Sequence, residues 1–439
     1  MRKSILATFI ATAFFSMNAS AVDLMQVYKD ALVNDAQFSA ARAARLAGAE
    51  RSVQGRSVLL PRVGLSGGVS KTHSEFDPDI GKTVTSSSTG NSVTLSLNQP
   101  LFNLGNWESY EQSKLSVVIS DMQFAQAQQD LMLRVAQAYF DVLAAENTLK
   151  TLQDQKVATA EQLASAKRNF EVGTQTITDT HEAQSAYDLV TAQVLAGEGD
   201  LEVKRAALRQ IIGKDAGNLS RLKDGIQLSS PAPAQITEWV ATAEKQNFGV
   251  TISQASLEIA QREIKKSRAG HLPTIDLSAS TGRSSGGSAL TSASGVNRPT
   301  TVGVSVTVPL FAGFGTESRV RETVALEDKA RNDLENARRT AAQSARQAYI
   351  GVVSGLAQIK AFEAAEISSQ SALDSTKLGY QVGVRINIDV LNAQQKLSNT
   401  RQSLAKARYD NIVNGLRLKA AAGTLKESDL QEVNTLLTQ

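Results

Sequence analysis

Residues 106–174 read NWESYEQSKLSVVISDMQFAQAQQDLMLRVAQAYFDVLAAENTLKTLQDQKVATAEQLASAKRNFEVGT. No Pro interrupts this stretch, and no Gly appears before Gly173. A helix from about Gly105 to Glu171 is therefore expected, roughly 100 Å long at 1.5 Å per residue. Helices of globular domains average only about 11–12 residues. Val172-Gly173-Thr174 supplies a reversal. The returning segment carries Tyr187, Val194, Leu201 and Leu208 at seven-residue spacing. That is the period of a coiled-coil seam, so these residues are read as packing.

The hairpin occurs twice. Ala138-Tyr139 recurs as Ala348-Tyr349, Phe170-Glu171-Val172-Gly173 as Tyr380-Gln381-Val382-Gly383, and Ile211-Ile212-Gly213 as Ala421-Ala422-Gly423, all at an offset of 210. Leu60-Pro61 with Leu272-Pro273, and Pro100-Leu101-Phe102 with Pro309-Leu310-Phe311, extend the match upstream. Register held over this length marks a duplicated unit. The second long helix, about Thr316 to Gln381, contains only Gly351, Gly355 and Gly379 as weak points. It reverses at Val382-Gly383-Val384 and returns with Leu397, Leu404, Asn411 and Leu418 seven apart. The expected division is a leader, 1–21; a first unit, 22–213, with a β-hairpin at 62–101 and a helical hairpin at 105–212; an equatorial linker, 214–236; a second unit, 237–423, with a β-hairpin at 274–309 and a helical hairpin at 315–423; and a C-terminal equatorial segment, 424–439. Each unit opens with one helix, about Leu24 to Ser57 and Thr237 to Arg268.

Between opening helix and long helix the period changes to two. Val63, Leu65 and Val69; Val93, Leu95 and Leu97; Ile275, Leu277 and Ala279; and Val302, Val304, Val306 and Val308 alternate with Ser, Thr, Gly, Asn and Asp. Such strands have one apolar and one polar face, and their length suits a tilted crossing of a bilayer by about 9–11 residues. Gly/Ser/Thr-rich stretches, roughly Lys71–Asn91 and Gly282–Pro299, read as long polar loops. Four strands cannot close a barrel, since bacterial barrels begin at about eight. Two copies would give eight strands and three would give twelve.

The N-terminus supports export. Arg2 and Lys3, an apolar run from Ile5 to about Met17 and Ala19-Ser20-Ala21 form a cleavable leader, with Val22 starting the mature chain. Without the leader, 44 basic residues face 43 acidic ones, a balance that gives no support for nucleic-acid binding. The absence of Cys excludes disulfides, thiolate metal sites and cysteine nucleophiles. His73, His181 and His271 have no ligand spacing, so no metal or other cofactor is expected. The chain has no phosphate-binding loop motif and no arrangement of catalytic residues, so an enzyme is not expected.

The segments Gly270-His271-Leu272-Pro273-Thr274-Ile275-Asp276-Leu277, Val308-Pro309-Leu310-Phe311, Phe170–Asp179 and Tyr380–Asn392 resemble the TolC family of outer-membrane channel proteins, over essentially the whole mature chain. The resemblance implies a membrane α+β fold: a shared trimeric 12-stranded β-barrel, with four strands per chain, above a long α-helical coiled-coil barrel. It favours the homotrimer over the dimer. It also implies outer-membrane lipid around the barrel, an inner-membrane transporter of RND or ABC type, and a periplasmic adaptor that docks on the tips, Val172, Gly173, Thr174, Val382, Gly383 and Val384. By the same resemblance Tyr380 and Arg385 of the second hairpin close a gate against Thr178 and Asp179 of the first, with Tyr380 donating to Asp179 and Arg385 to Thr178 or a nearby carbonyl. Asp389 matches an acidic constriction of the pore; the second acidic position is Asn392 here, a departure that removes three charges from a trimer. The expected function is a passive exit duct for efflux or secretion. The alternative from another class is a non-conducting, periplasm-spanning trimeric anchor or adhesin.

Overall fold

The computed structural model describes residues 21–223, 225–287 and 294–438, so the leader lies outside the described residues except for Ala21. The first unit comprises helices α1 (Leu24–Asn34) and α2 (Ala36–Ser57), strands β1 (Arg62–Phe76) and β2 (Val84–Phe102), then α3 (Leu104–Glu171) and α4 (Ile177–Ile212). The second comprises α5 (Ile236–Gln246), α6 (Phe248–Arg268), β3 (Thr274–Gly287), β4 (Ser294–Asn297), β5 (Thr300–Thr307), α7 (Gly315–Gln381) and α8 (Asn387–Ala421). A short helix α9 (Glu427–Asn434) comes last.

The two long helices run unbroken for 68 and 67 residues. Asn103 starts the first by accepting the Asn106 amide at 3.0 Å. Gly213, at φ 73°, ends α4 in the left-handed conformation that Gly adopts without steric cost. The seven-residue stripes are seams: Val194, Leu201, Leu208, Leu397, Leu404, Asn411 and Leu418 are all buried. Asn411 is the polar member. Its Nδ2 donates to the Val352 carbonyl at 2.8 Å, and Gly355 makes room, since a Cβ there would lie 2.5 Å from that nitrogen. Gly355→Val is therefore expected to displace Asn411 and destabilise the second hairpin by about 1–3 kcal/mol, read from its thermal unfolding midpoint.

Each opening helix is broken once, where one continuous helix was expected. Asp35 and Asn247 adopt extended backbone angles and cap the N-termini of α2 and α6: the Phe38 N–H donates to Asp35 Oδ1 at 2.6 Å, and the Gly249 N–H to Asn247 Oδ1 at 2.9 Å. Short polar side chains compete with the helix for its own amides, so they start helices more readily than they continue them. Asp35, 4% exposed, also takes a two-bond contact from Arg134 of α3, at 2.9 and 3.0 Å. Burial opposes ionisation of Asp35, but the guanidinium and the Phe38 amide outweigh it and hold the carboxyl below its ordinary range.

The largest core lies midway along the helices, where α1, α3, α4, α8 and α9 meet segments 216–228 and 430–437. Two tyrosines in equivalent places pin this belt. Tyr139 donates to the Ser220 carbonyl at 2.7 Å, and Tyr349 donates to the Ala234 carbonyl.

The sheet is antiparallel in the order β1-β2-β3, with β4 and β5 both against β3. β3 keeps one register with both, Ser284 opposite Asn297 and Thr281 opposite Thr300, so β4 and β5 act as one strand interrupted at 298–299. The stretches expected to be long loops are largely strand. β1 and β2 stay paired to Phe76 and Val84, leaving 77–83 as the connection, and β3 runs to Gly287. Ser and Thr alternate there in the extended register, and polar composition alone had suggested loop. The register collects Val63, Leu65, Val69, Val93, Leu95, Leu97, Ile275, Leu277, Ala279, Val302, Val304 and Val306 on one face. Among the described residues nothing covers that face: Val69 is 80% exposed and Val302 70%. β1 and β4/β5 are free edges. No described helix is long and apolar enough to cross a membrane.

Candidate functional site

The end of the helical hairpins opposite the sheet carries the candidate site. Both tips turn by the same hydrogen bonds. Gly173 and Gly383 sit at φ 76° and 80°. Their N–H groups donate to Phe170 O at 2.9 Å and Tyr380 O at 3.1 Å, and the next residues, Thr174 and Val384, donate to Asn169 O and Gly379 O, each at 2.8 Å. Val172, Val382 and Val384 stand exposed at the apices.

Each hairpin is glued internally by apolar packing. Leu152 of α3 meets Val190 and Val194 of α4, and Leu373 of α7 meets Val390 and Leu397 of α8. Between the hairpins the contacts change character. Gln155, Gln162 and Asn169 stand seven apart on α3 and reach across to the second hairpin. The Gln155 amide donates to Gln395 Oε1, the Gln162 amide to Asn387 Oδ1, and Asn169 Nδ2 to the Tyr380 hydroxyl at 3.4 Å. Gln175 Nε2 donates to the same hydroxyl at 2.7 Å. Asn387 is fully buried. One small apolar cluster, Leu163, Ala166, Ala183 and Leu391, accompanies this ladder. Neutral hydrogen bonds contribute about 1 kcal/mol each, far less than the apolar seams within each hairpin. Two internally cohesive rods joined by exchangeable amides can shift against each other.

The expected gate residues are only partly brought together. Tyr380 does reach the first hairpin, but it accepts from Gln175 and Asn169 and makes no bond to Asp179. Asp179 is engaged at home: it accepts the Thr176 N–H at 3.0 Å and hydroxyl at 2.8 Å, a capping box that starts α4. Thr178 is exposed, and Arg385 does not touch it within the chain. Arg385 Nη1 lies instead 3.6 Å from Asp389 Oδ2. Asn392, one turn beyond Asp389 on α8, is exposed. Arg385, Asp389 and Asn392 thus share one face of the second hairpin. Gln155, Gln162, Asn169, Asn387 and Gln395 lie outside the expected gate; the seven-residue spacing of the first three is their signal in the sequence.

With this geometry in place, comparison with known proteins decides the family. The model of the outer membrane efflux protein family matches residues 27–214 and 239–424. The chain belongs to that family. Outer membrane protein TolC of Vibrio cholerae serotype O1 is 32% identical over 436 residues, covering 98% of both chains. Alkaline protease secretion protein AprF of Pseudomonas aeruginosa is 31% identical over 440 residues, covering 98% of this chain and 90% of AprF. Among solved structures, the CmeC outer membrane channel of Campylobacter jejuni superposes with a TM-score of 0.79 at 18% identity, over 100% of this chain and 98% of CmeC, a likeness of fold. This efflux-family chain resides in the outer membrane, with its helical part in the periplasm.

Proposed function

We propose that this chain is the outer-membrane exit channel of an export machine for efflux or type I secretion, assembled as a homotrimer. The observation that carries the reading is one sheet, bare on its apolar face and open at both edges, at the end of helical hairpins roughly 100 Å long. A sheet with two free edges closes only by joining other copies, and a head-to-tail contact that repeats around an axis forms a ring. Leu189, Leu195 and Val203 of α4, and Ile350, Ile367 and Leu378 of α7, are exposed and suit that contact between neighbours. AprF carries protease secretion in its name, which supports secretion beside efflux. The two units, with belt segments 214–236 and 424–439 around their middle, form the wall of a passive duct. Tyr380 with its amide partners holds the periplasmic end closed, and Thr178, Asp179 and Arg385 belong to the same gate between the hairpins. The exposed tips receive a periplasmic adaptor that connects the duct to an inner-membrane transporter of RND or ABC type.

Purified trimer inserted in a planar bilayer tests this. Discrete unitary conductance with cation preference is expected. Asp389→Asn removes three carboxylates from a shared axis, worth on the order of 1 kcal/mol of cation affinity, so block by a multivalent cation should weaken about fivefold. Inserted trimers that conduct nothing would leave the anchor reading instead.

A further inference from the structure

The lipid-facing side of the sheet has an upper edge, and that edge is cationic. Successive outward-facing residues on β1 are Val63, Leu65, Gly67, Val69, Lys71 and His73, so the apolar run ends at Lys71. On β2 it ends between Val93 and Asn91. On β3 the outward positions turn polar at Thr281, and the next one is Arg283, which lies opposite Val93. The unshifted register of β4 and β5 puts Arg298 opposite Arg283. The cations therefore fall by two cross-strand rows from β1 to β5. Two rows are about 14 Å along the strands and three strand spacings are about 14 Å across them, a slope near 45°. Barrel strands are tilted by about 35–45°, so Lys71 and Arg298 stand at nearly one height on the barrel wall and Arg283 lies within about 5 Å of it. The helices leave from the opposite end of the sheet, so this height is the external edge of the apolar band.

Three observations set these cations apart from ordinary surface charge. All three are exposed, on the face that otherwise meets hydrocarbon. Among the described residues, none has a carboxylate within 4.0 Å, and residues 288–293 contain no acidic side chain. Arg283 and Arg298 are also directly opposed. The Gly282 N–H donates to the Pro299 carbonyl at 3.0 Å, which makes the next pair the non-hydrogen-bonded kind, where side chains come closest. Like charges so placed repel and destabilise the sheet unless an anion lies between them.

We propose that Lys71, Arg283 and Arg298 form a collar that binds the anionic phosphates of lipid headgroups in the outer leaflet. Guanidinium groups pair with phosphate through two parallel bonds, and long cationic side chains at an apolar boundary reach naturally to headgroup level. The inference rests on the barrel being formed by several copies in a membrane, where three cations from each chain stand on one ring.

The test compares spin-labelled phosphatidic acid with spin-labelled phosphatidylcholine in phosphatidylcholine vesicles that hold the inserted full-length protein. The motionally restricted fraction of each probe gives their relative affinity. Wild type is expected to prefer phosphatidic acid strongly, and the preference should fall about fivefold for each cation replaced in Lys71→Gln, Arg283→Gln and Arg298→Gln. Arg283→Gln and Arg298→Gln each relieve the like-charge pair, so both should assemble at least as well as wild type. Lys71→Arg should keep the wild-type preference. Equal preference in wild type and variants overturns the collar, as does its abolition by inorganic phosphate alone, which would make this a free-phosphate site. Unitary conductance and cross-linked trimer from the same vesicles report separately on the channel itself.

Discussion

Tyr380→Phe combined with Arg385→Ser is expected to raise the open fraction of the reconstituted channel by orders of magnitude, seen as a large, sustained unitary conductance. Phe cannot accept from Gln175, whose amide now donates to the Tyr380 hydroxyl at 2.7 Å. Ser removes the exposed partner of Asp389. A neutral hydrogen bond contributes about 1 kcal/mol, and the Arg385–Asp389 pair lies within one hairpin and does not oppose opening, so each copy loses about 1 kcal/mol. Three copies opening together would lose about 3 kcal/mol, a factor of about 150 in the closed-to-open equilibrium. The amide ladder supplies a change of opposite sign. Gln162→Leu with Asn387→Leu exchanges a buried polar pair for an apolar one, which leaves the fold nearly unchanged but makes the seam between hairpins as adhesive as the seams within them. That variant should conduct less than wild type. If the first pair of substitutions left conductance unchanged, the channel would remain and the tip residues would lose their role.

Asp35→Ala should be the most destabilising single change outside the tips. It removes the cap of α2, worth about 1 kcal/mol, and strands the Arg134 guanidinium at a part-buried site. Arg134 is a third exposed, so solvent partly screens the stranded charge and the total cost is about 2–3 kcal/mol. Asp35→Asn keeps a capping oxygen while losing the charge, and should fall between the two proteins. The pH dependence has a definite sign. Because the folded carboxyl titrates below its unfolded value, its contribution is complete above the unfolded pKa of about 4 and disappears as pH falls through the folded one. The gap in thermal midpoint between wild type and Asp35→Ala should therefore be widest near neutrality and narrow in acid.

The long helices, their reversals and the alternating strands were legible in the sequence because each rests on a strong local rule: absence of Gly and Pro, Gly at a left-handed turn, and period-two alternation. The breaks at Asp35 and Asn247 were not. A single polar residue between two helical stretches signals a cap only when a neighbour, here Arg134 or the Ala421 carbonyl, holds its side chain in place. The strand extensions to Phe76 and from Val84 were hidden for a related reason: both faces are polar there, so alternation is lost although pairing continues. At the tips, the resemblance points to Tyr380, which does reach the first hairpin, but not to Gln175 and Asn169, its partners there. Asp179 satisfies its own helix start, which sequence spacing from Thr176 would have revealed. The amide ladder is not legible because Gln155, Gln162 and Asn169 are polar residues on a helix rich in Gln, where seven-residue spacing marks a contact only once the facing helix supplies partners.

The matched backbone of the two reversals bears on stoichiometry. Gly173 and Gly383 close the same pair of hydrogen bonds, but the flanking side chains differ, Thr174-Gln175 on one tip and Val384-Arg385 on the other. A trimer then presents six ends that are alike in shape and alternate in chemistry. A docking protein that recognises only the shape of the turn would count six equivalent places and saturate at two per channel subunit. One that reads the valine or the arginine would count three and saturate at one.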